Sequence, residues 1–200
     1  AIAKAVGASK GSVSVWVRDI ELTEEQKAAL KRCQHRWGAQ NKGAQANRSK
    51  HLEKRKAYQE AGRARAREGS PLHLAGCMLY WAEGAKKRNH LYFVNSDSNM
   101  LQLFIRFLRD ELKVDDSDIA LYIHCHNADD IKRIQQYWTD VLQLPSSCLR
   151  KAQVKKGSDT RRNILTHGVC GIAVNRTELV MHIFGAIQEY GGFDNPDWLF

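Results

Sequence analysis

The sequence lacks any segment that marks it for a membrane or for secretion. No run approaches the ~18 apolar residues of a membrane span, and the first ten residues are too polar for a secretory signal. The five cysteines are scattered and include no CxxC pair, so reduced thiols in a cytoplasmic protein are expected. With 200 residues, 43% of them hydrophobic, the chain can form one packed domain and a small appendage. It opens on Ala1, so we expect further sequence before it.

Acidic residues are nearly absent from one long segment. Residues 31–67 contain twelve lysines and arginines but only two acids, Glu53 and Glu60, which gives a net charge of +10. The whole chain carries +9, so the remainder is close to neutral. A polycation this concentrated releases condensed counterions when it lies on a phosphate backbone. The segment predicts salt-dependent affinity for nucleic acid, with a solvated face of no function as the alternative.

Residues 1–21 have the pattern of a short helix, a turn and a second helix. Gly7 permits a positive φ at the turn, and Ser9 can cap the second helix. The apolar side of that helix holds Val13, Trp16 and Val17, which are expected to face a core. The pattern resembles the helix-turn-helix domains of bacterial and phage DNA-binding proteins, whose second helix enters the major groove. The resemblance implies that the usual first helix lies upstream, and it places these residues at DNA: Lys10, Ser12, Ser14 and Arg18. A plain helical hairpin is the alternative.

Residues 22–69 form a predicted basic helical linker. Thr23 and Gln26 make a capping box that starts a helix, and the Gly-Ser-Pro run at residues 69–71 marks the far boundary. The stretch between them predicts solvated helices with breaks near Gly38 and Gly43. The basic residues expected to contact DNA here are Arg36, Lys42, Arg48, Lys50, Lys54 and Arg55.

Residues 70–190 have the composition of a mixed core, which predicts an α+β domain of order αβαβαββα. The predicted helices are residues 72–82, 98–112, 129–144 and 177–190, and the predicted strands are residues 91–95, 119–126, 148–154 and 168–174. A basic loop joins the last two strands, so Cys148 and Cys170 are possible cross-strand neighbours. The tail, residues 191–200, is either a docking peptide or folds back over the core.

The segment LHLAGCMLYWAEGAKK, residues 72–87, resembles the signature helix of the LAGLIDADG homing endonucleases, especially variants that end in W-x-E-G. The Asn-Ser-Asp run at residues 95–97, followed by an amphipathic helix, is similar to that family as well. The resemblance implies a LAGLIDADG-like fold and a homodimer in which two such helices pack along small residues, here through residues 74–84. It also implies that Glu83, at the foot of the helix, holds the Mg²⁺ ion that cuts DNA.

Several basic residues complete the predicted site. Lys86 and Lys155 are the expected catalytic helpers, and the further expected DNA contacts are Lys86, Lys87, Arg88, Lys151, Lys155, Lys156, Arg161 and Arg162. A structural alternative for Glu83 is an exposed residue that pairs with Lys86 or Lys87. The family core is αββαββα, whereas only one hairpin is clear here unless residues 85–88 form a short first strand. His124 and His126 share one strand face, but with no partner pair a metal site is not favoured.

The leading interpretation is a sequence-specific double-stranded DNA-binding protein that acts as a Mg²⁺-dependent homing-type endonuclease. The first alternative is a non-cleaving transcriptional regulator with the same fold, which would need no cofactor. The second is a structured-RNA-binding or splicing-helper protein, against which the helix-turn-helix argues because side chains cannot enter the deep A-form major groove. No membrane partner and no small-molecule substrate are expected, and association with the nucleoid in the cytoplasm follows from the DNA-binding interpretation.

Overall fold

The computed structural model describes residues 2–36, 39–125, 130–154 and 165–199. The chain divides into two compact units, Ala1–Ser49 and Lys50–Phe200, and one long helix runs across the division. The described elements before residue 70 are α1 (Ile2–Ala5), α2 (Lys10–Trp16), α3 (Glu24–Arg36) and α4 (Ala39–Arg67). Because α4 continues through Gly43, the predicted break there is wrong. The predicted break at Gly38 lies outside the described residues.

The second unit is a mixed α+β fold. After α4 its elements are α5 (Pro71–Glu83), β1 (Leu91–Asn95), α6 (Ser98–Arg106), β2 (Ala120–Cys125), α7 (Ile131–Leu142), β3 (Gln153–Val154), β4 (Val169–Val174) and α8 (Thr177–Gly191). The predicted order αβαβαββα is confirmed. A π-helical turn, Phe107–Glu111, extends α6 to nearly the predicted length. No described helix combines the length and the apolar character needed to cross a bilayer.

The four strands form one sheet in the order β1-β4-β2-β3. Strand β4 runs antiparallel to both β1 and β2, while β3 pairs parallel with the end of β2. Strands β3 and β4 are therefore not partners, and the predicted cross-strand pair of Cys148 and Cys170 is wrong. Cys148 instead lies in a 3₁₀ turn, where its Sγ donates to the carbonyl of Asp116 at 3.2 Å. Residues 85–88 do not form the short first strand that was considered. An isolated antiparallel bridge instead joins Gly84, just before them, to Phe93.

The core lies between one face of the sheet and helices α5 to α8. Period-two alternation aims Leu91 and Phe93 of β1 into it, beside Ile172 of β4. The largest fully buried side chains include Trp138, Tyr80, Phe93, Phe104 and Phe107. The tail also joins this core, since the ring of Trp198 stacks on Phe184 with centroids 4.5 Å apart. Of the two interpretations of the tail, folding back over the core is the one observed.

Helix α4 reaches the second unit through a close crossing with α8. A Cβ added to Gly62 would lie 1.9 Å from the carbonyl oxygen of His182, and one added to Gly185 would lie 2.0 Å from that of Gln59. The two backbones therefore touch where each helix has a glycine. Buried Ala66 continues the contact toward the end of α4. Residues 59–67, placed by the sequence in a linker, thus form part of the packing of the second unit.

Candidate nucleic-acid interface

The first unit contains a short helix, a glycine turn and a second, capped helix, as both the helix-turn-helix and the helical-hairpin interpretations predict. Gly7 has a φ of +64° at the turn, and the Oγ of Ser9 accepts a hydrogen bond from the backbone N–H of Ser12 at 3.0 Å, which caps α2. Val13 is buried. The four residues expected at DNA, Lys10, Ser12, Ser14 and Arg18, are all exposed.

The predicted core side of α2 is only partly correct. Val13 is buried, but Trp16 is 63% exposed and Val17 is 38% exposed, so the prediction is wrong for these two side chains. Helix α1 has four residues and α2 has seven. Two helices this short can bury only one of the three apolar side chains of α2 between them. The Trp16 ring therefore adds an exposed aromatic surface near Arg18.

Helix α4 contains two basic stretches that differ in their surroundings. We call residues 50–56 the outer stretch and residues 59–67 the packed stretch. Lys50 and Lys54 of the outer stretch are exposed and make no ion pair with any described residue. Within the outer stretch, the ion pair between Lys56 and Glu53 lies in solvent at 3.1 Å and offsets one positive charge there.

The arginines of the packed stretch have acidic partners from distant parts of the chain. Arg63 bonds Asp194 at 2.5 Å, and Arg65 bonds Glu111 at 2.6 Å. Arg67 binds Glu189 through two nitrogens, at 2.9 and 3.0 Å. These ion pairs hold the packed stretch against the rest of the second unit. The net charge of residues 31–67 therefore overstates how many positive charges are free to bind nucleic acid.

Arg55 and Arg88 lie together in an open pocket of about 590 Å³. The pocket is bounded by the outer stretch, by the turn at residues 88–89 and by residues 175–178. The strand register assembles it, because Leu91 pairs with Val174 and the chain before β1 therefore meets the chain after β4. His90 Nδ1 lies 2.5 Å from Asn175 Oδ1 across this junction. Sequence reasoning found Lys54, Arg55 and Arg88, but it missed the pocket residues that follow β4.

Glu83, the predicted metal ligand, is the last residue of α5 and is exposed. It forms no ion pair with Lys86 or Lys87. The Nζ of Lys86 instead donates to the carbonyls of Tyr80, Trp81 and Gly84 at 3.0, 2.6 and 2.8 Å. Burial lowers the pKa of Lys86, and the Glu83 carboxylate partly opposes that shift. Lys86 thus caps the C-terminal end of α5. To assist catalysis or to bind a phosphate, its ammonium group would have to give up these three hydrogen bonds.

The outward side of α5 is apolar. Leu74 and Trp81 are each 41% exposed, and Ala82 beside them is exposed too. Gly76, by contrast, faces the protomer's own core, where an added Cβ would lie 2.1 Å from Phe107. The Trp81 ring also contacts the tail, with its centroid 5.6 Å from that of Phe193, and Glu83 ends the helix two residues later.

The remaining predicted residues divide into two groups. Lys87 and Lys151 are exposed, as a phosphate contact requires. Lys155, Lys156, Arg161, Arg162 and His126 lie outside the described residues, as do the side chains of Arg36 and Lys42. His124 lies on β2, with its Nε2 3.3 Å from the hydroxyl of Tyr92.

The described residues of one protomer do not make a magnesium site. Mg²⁺ prefers six oxygen ligands, with one or two carboxylates and several waters among them. Among the described residues no group of three or more His, Cys, Asp or Glu side chains could hold a metal ion. Glu83 supplies a single carboxylate, so the described residues do not complete such a site around it.

A buried polar cluster lies beneath the packed stretch, and sequence reasoning did not find it. His73 Nδ1 lies 2.8 Å from the hydroxyl of Tyr190, and His73 Nε2 lies 2.9 Å from His182 Nε2. Burial, with further contributions from His73 and Arg65, lowers the pKa of His182 to about 4. Burial also lowers the pKa of His73. Both rings are therefore neutral at pH 7. Tyr190, His73 and His182 can then form one continuous chain of hydrogen bonds.

No family model, curated protein or solved structure matches this chain. The class that the geometry defines is an α+β fold with a four-stranded mixed sheet, joined to a small all-helical unit by a long basic helix.

Proposed function

We propose that this protein binds double-stranded DNA, with the helix-turn-helix reading sequence and the basic helix contacting phosphates. The observation that carries the proposal is the capped helix α2, on which Lys10, Ser12 and Ser14 are all exposed. Short polar and cationic side chains on a helix of this kind suit base edges in the major groove. The exposed lysines of the outer stretch supply the salt-dependent part of the affinity.

Binding of labelled duplexes by fluorescence anisotropy tests this proposal. A duplex selected from a random library should bind more tightly than its scrambled version. The Lys10→Ala and Ser14→Ala changes should reduce that preference by about tenfold each, as expected for lost base contacts. Lys27→Ala on α3, where the exposed lysine pairs with Glu24, is the matched control and should keep it. Equal affinity of the wild-type protein for all duplexes would overturn sequence-specific reading.

The finer proposal is Mg²⁺-dependent cleavage of both strands by a homodimer. Its support is the outward side of α5, where Leu74 and Trp81 are each 41% exposed and can be covered by a second copy, with Glu83 exposed at the end of the same helix. The element order departs from the αββαββα core of the family that residues 72–87 resemble, because only the isolated Gly84 bridge precedes β1, and α7 and β3 lie between β2 and β4. One protomer does not complete the metal site.

Plasmid linearisation with Mg²⁺ tests cleavage. The wild-type protein should linearise a plasmid that carries its selected site, and Glu83→Gln should abolish cutting without loss of binding. Glu68→Gln removes an exposed acid that lies away from α5's foot and serves as the control. Cutting that survives Glu83→Gln would remove Glu83 from the mechanism.

A non-cleaving regulator is the second candidate. It is favoured by the absence of a metal-holding group among the described residues and by the use of Lys86 as a helix cap. Tight, specific binding with no cutting in either protein would select this function. Stronger binding of structured RNA than of duplex DNA at equal salt would select the RNA-binding alternative instead. A DNA-binding protein of either kind would be nucleoid-associated.

A further inference from the structure

The pocket between the outer stretch and residues 175–178 has a strongly unbalanced charge. Four cationic side chains line it, Lys54, Arg55, Arg88 and Arg176, against one acid, Glu178. Arg176 and Glu178 neutralise each other, since the Arg176 Nε donates to Glu178 Oε1 at 2.8 Å. Arg176 also reaches Asp118 at 3.4 Å. Three positive charges on Lys54, Arg55 and Arg88 remain without an acidic partner among the described residues.

Two arginines that line the pocket are in an unfavourable arrangement. The Nε of Arg55 is buried, and no described residue accepts a hydrogen bond from it. Burial and the neighbouring charge of Arg88 both lower the pKa of Arg55. A buried donor without an acceptor and two neighbouring like charges each cost free energy. A ligand with several negatively charged oxygens would relieve both costs at once.

A phosphate group fits these requirements better than other anions. Guanidinium groups bind phosphate oxygens with paired, charge-assisted hydrogen bonds, and Arg55 and Arg88 can approach one phosphate from two sides. Lys54 adds a third charge from the same turn of α4, and the Tyr58 hydroxyl on the pocket wall is a neutral donor. The cavity of about 590 Å³ is open enough to admit a group that stays attached to a larger molecule.

We propose that this pocket is a specific binding site for one phosphate group, held by Arg55, Arg88 and Lys54. The group comes either from the backbone of a nucleic acid or from free phosphate or a phosphate monoester. In the first case the site rests on the proposed DNA-binding function, and in the second it does not. The matched variants are Arg88→Gln and Lys132→Gln, because Lys132 is an exposed cation on α7 that does not line the pocket and is not an expected DNA contact.

The first experiment titrates the wild-type protein with inorganic phosphate at constant ionic strength and follows the arginine Nε–H signals by NMR. The Arg55 signal should shift as phosphate saturates the site, and this readout needs no variant. Calorimetry should give phosphate binding about tenfold weaker in Arg88→Gln and in Arg55→Gln than in the wild type, as expected for a lost charge-assisted bond. Phosphate binding by Lys132→Gln should stay unchanged. The proposal would be overturned if the Arg55 signal did not shift on addition of phosphate, or if all four proteins bound phosphate equally.

The second experiment separates the two sources of the phosphate. If a backbone phosphate occupies the pocket, Arg88→Gln should weaken duplex binding about tenfold more than Lys132→Gln, and free phosphate should compete with the duplex. If the ligand is a free phosphate or monoester, Arg88→Gln should lose phosphate binding while its duplex affinity matches that of Lys132→Gln. Either result supports the pocket. Phosphate binding by a protein that binds no duplex would retain the pocket and reject the proposed function.

Discussion

The outer stretch and the packed stretch of α4 are two parts of one basic helix with different physical roles. In the outer stretch Lys50 and Lys54 remain in solvent, and Arg55 faces another cation. In the packed stretch Arg63 and Arg65 bond acids that lie 131 and 46 residues further along the chain. Similar composition therefore gives an open electropositive surface at one end and a docked structural element at the other.

This difference shows why net charge over a segment is an incomplete guide to an interface. Two acids that pair with the packed stretch, Glu60 and Glu68, are local. The others belong to the π-helical turn, to α8 and to the tail, so a local window of sequence does not contain them. The surroundings of its glycines give a second difference between parts of α4. Gly62 touches the backbone of α8, whereas Gly43, in the same helix, has nothing within 4 Å of an added Cβ.

The largest expected effect comes from forcing the packed stretch away from α8. Gly62→Ala should lower the free energy of unfolding by about 3 kcal/mol, because its Cβ would collide with a backbone oxygen that cannot rotate aside. Gly43→Ala is the matched control and should be neutral or raise helix stability by up to ~1 kcal/mol. Urea unfolding of the two variants measures both. Equal stabilities would mean that the crossing of α4 and α8 is not formed in solution.

The pH dependence of stability probes the histidines beneath the packed stretch. The folded pKa of His182 is about 4, below its ordinary value of 6.5, so the unfolded chain binds the proton more readily. The stabilising contribution is therefore complete above pH 6.5 and is lost as pH falls toward 4, by at most about 3 kcal/mol. Unfolding free energies at several pH values should show a shallower slope between pH 6.5 and 4 in His182→Gln. An unchanged slope in the variant would exclude His182 as the source.

The ion pair between Arg65 and Glu111 should contribute less. The Glu111 side chain is only 8% exposed. Burial opposes its ionisation most strongly, yet hydrogen bonds from Ser70 and Arg65 outweigh burial and lower its pKa. Glu111→Gln should cost about 2 kcal/mol, since Arg65 keeps partial access to water. Glu53→Gln removes the acid of the exposed pair with Lys56 and should cost less than about 0.5 kcal/mol. Chemical denaturation compares them, and equal losses would show that the packed stretch is not more strongly held than the outer stretch.

The sequence was informative about local structure and about the basic residues of the candidate interface, but not about the pocket that some of them line. Apolar periodicity located the helices and strands after residue 70, although the strand predicted at residues 148–154 is observed only at Gln153–Val154. The Gly7 and Ser9 signals located the turn and the cap before α2. The pocket could not be predicted in the same way, because Arg88 and Arg176 meet only through the register of β1 with β4. The pair of His73 and His182 likewise depends on the packing of α5 against α8.

The most direct test of the central claim is the salt dependence of duplex binding by two double variants. For the wild-type protein the logarithm of the binding constant should fall steeply and linearly with the logarithm of salt concentration. Replacing Lys50 and Lys54 by glutamine should reduce the magnitude of that slope by about 2, because each lost phosphate contact accounts for ~0.9. Replacing Arg63 and Arg67 by glutamine should leave the slope unchanged. Weak binding of the wild-type protein that does not respond to salt, or equal slope losses in the two double variants, would contradict the account.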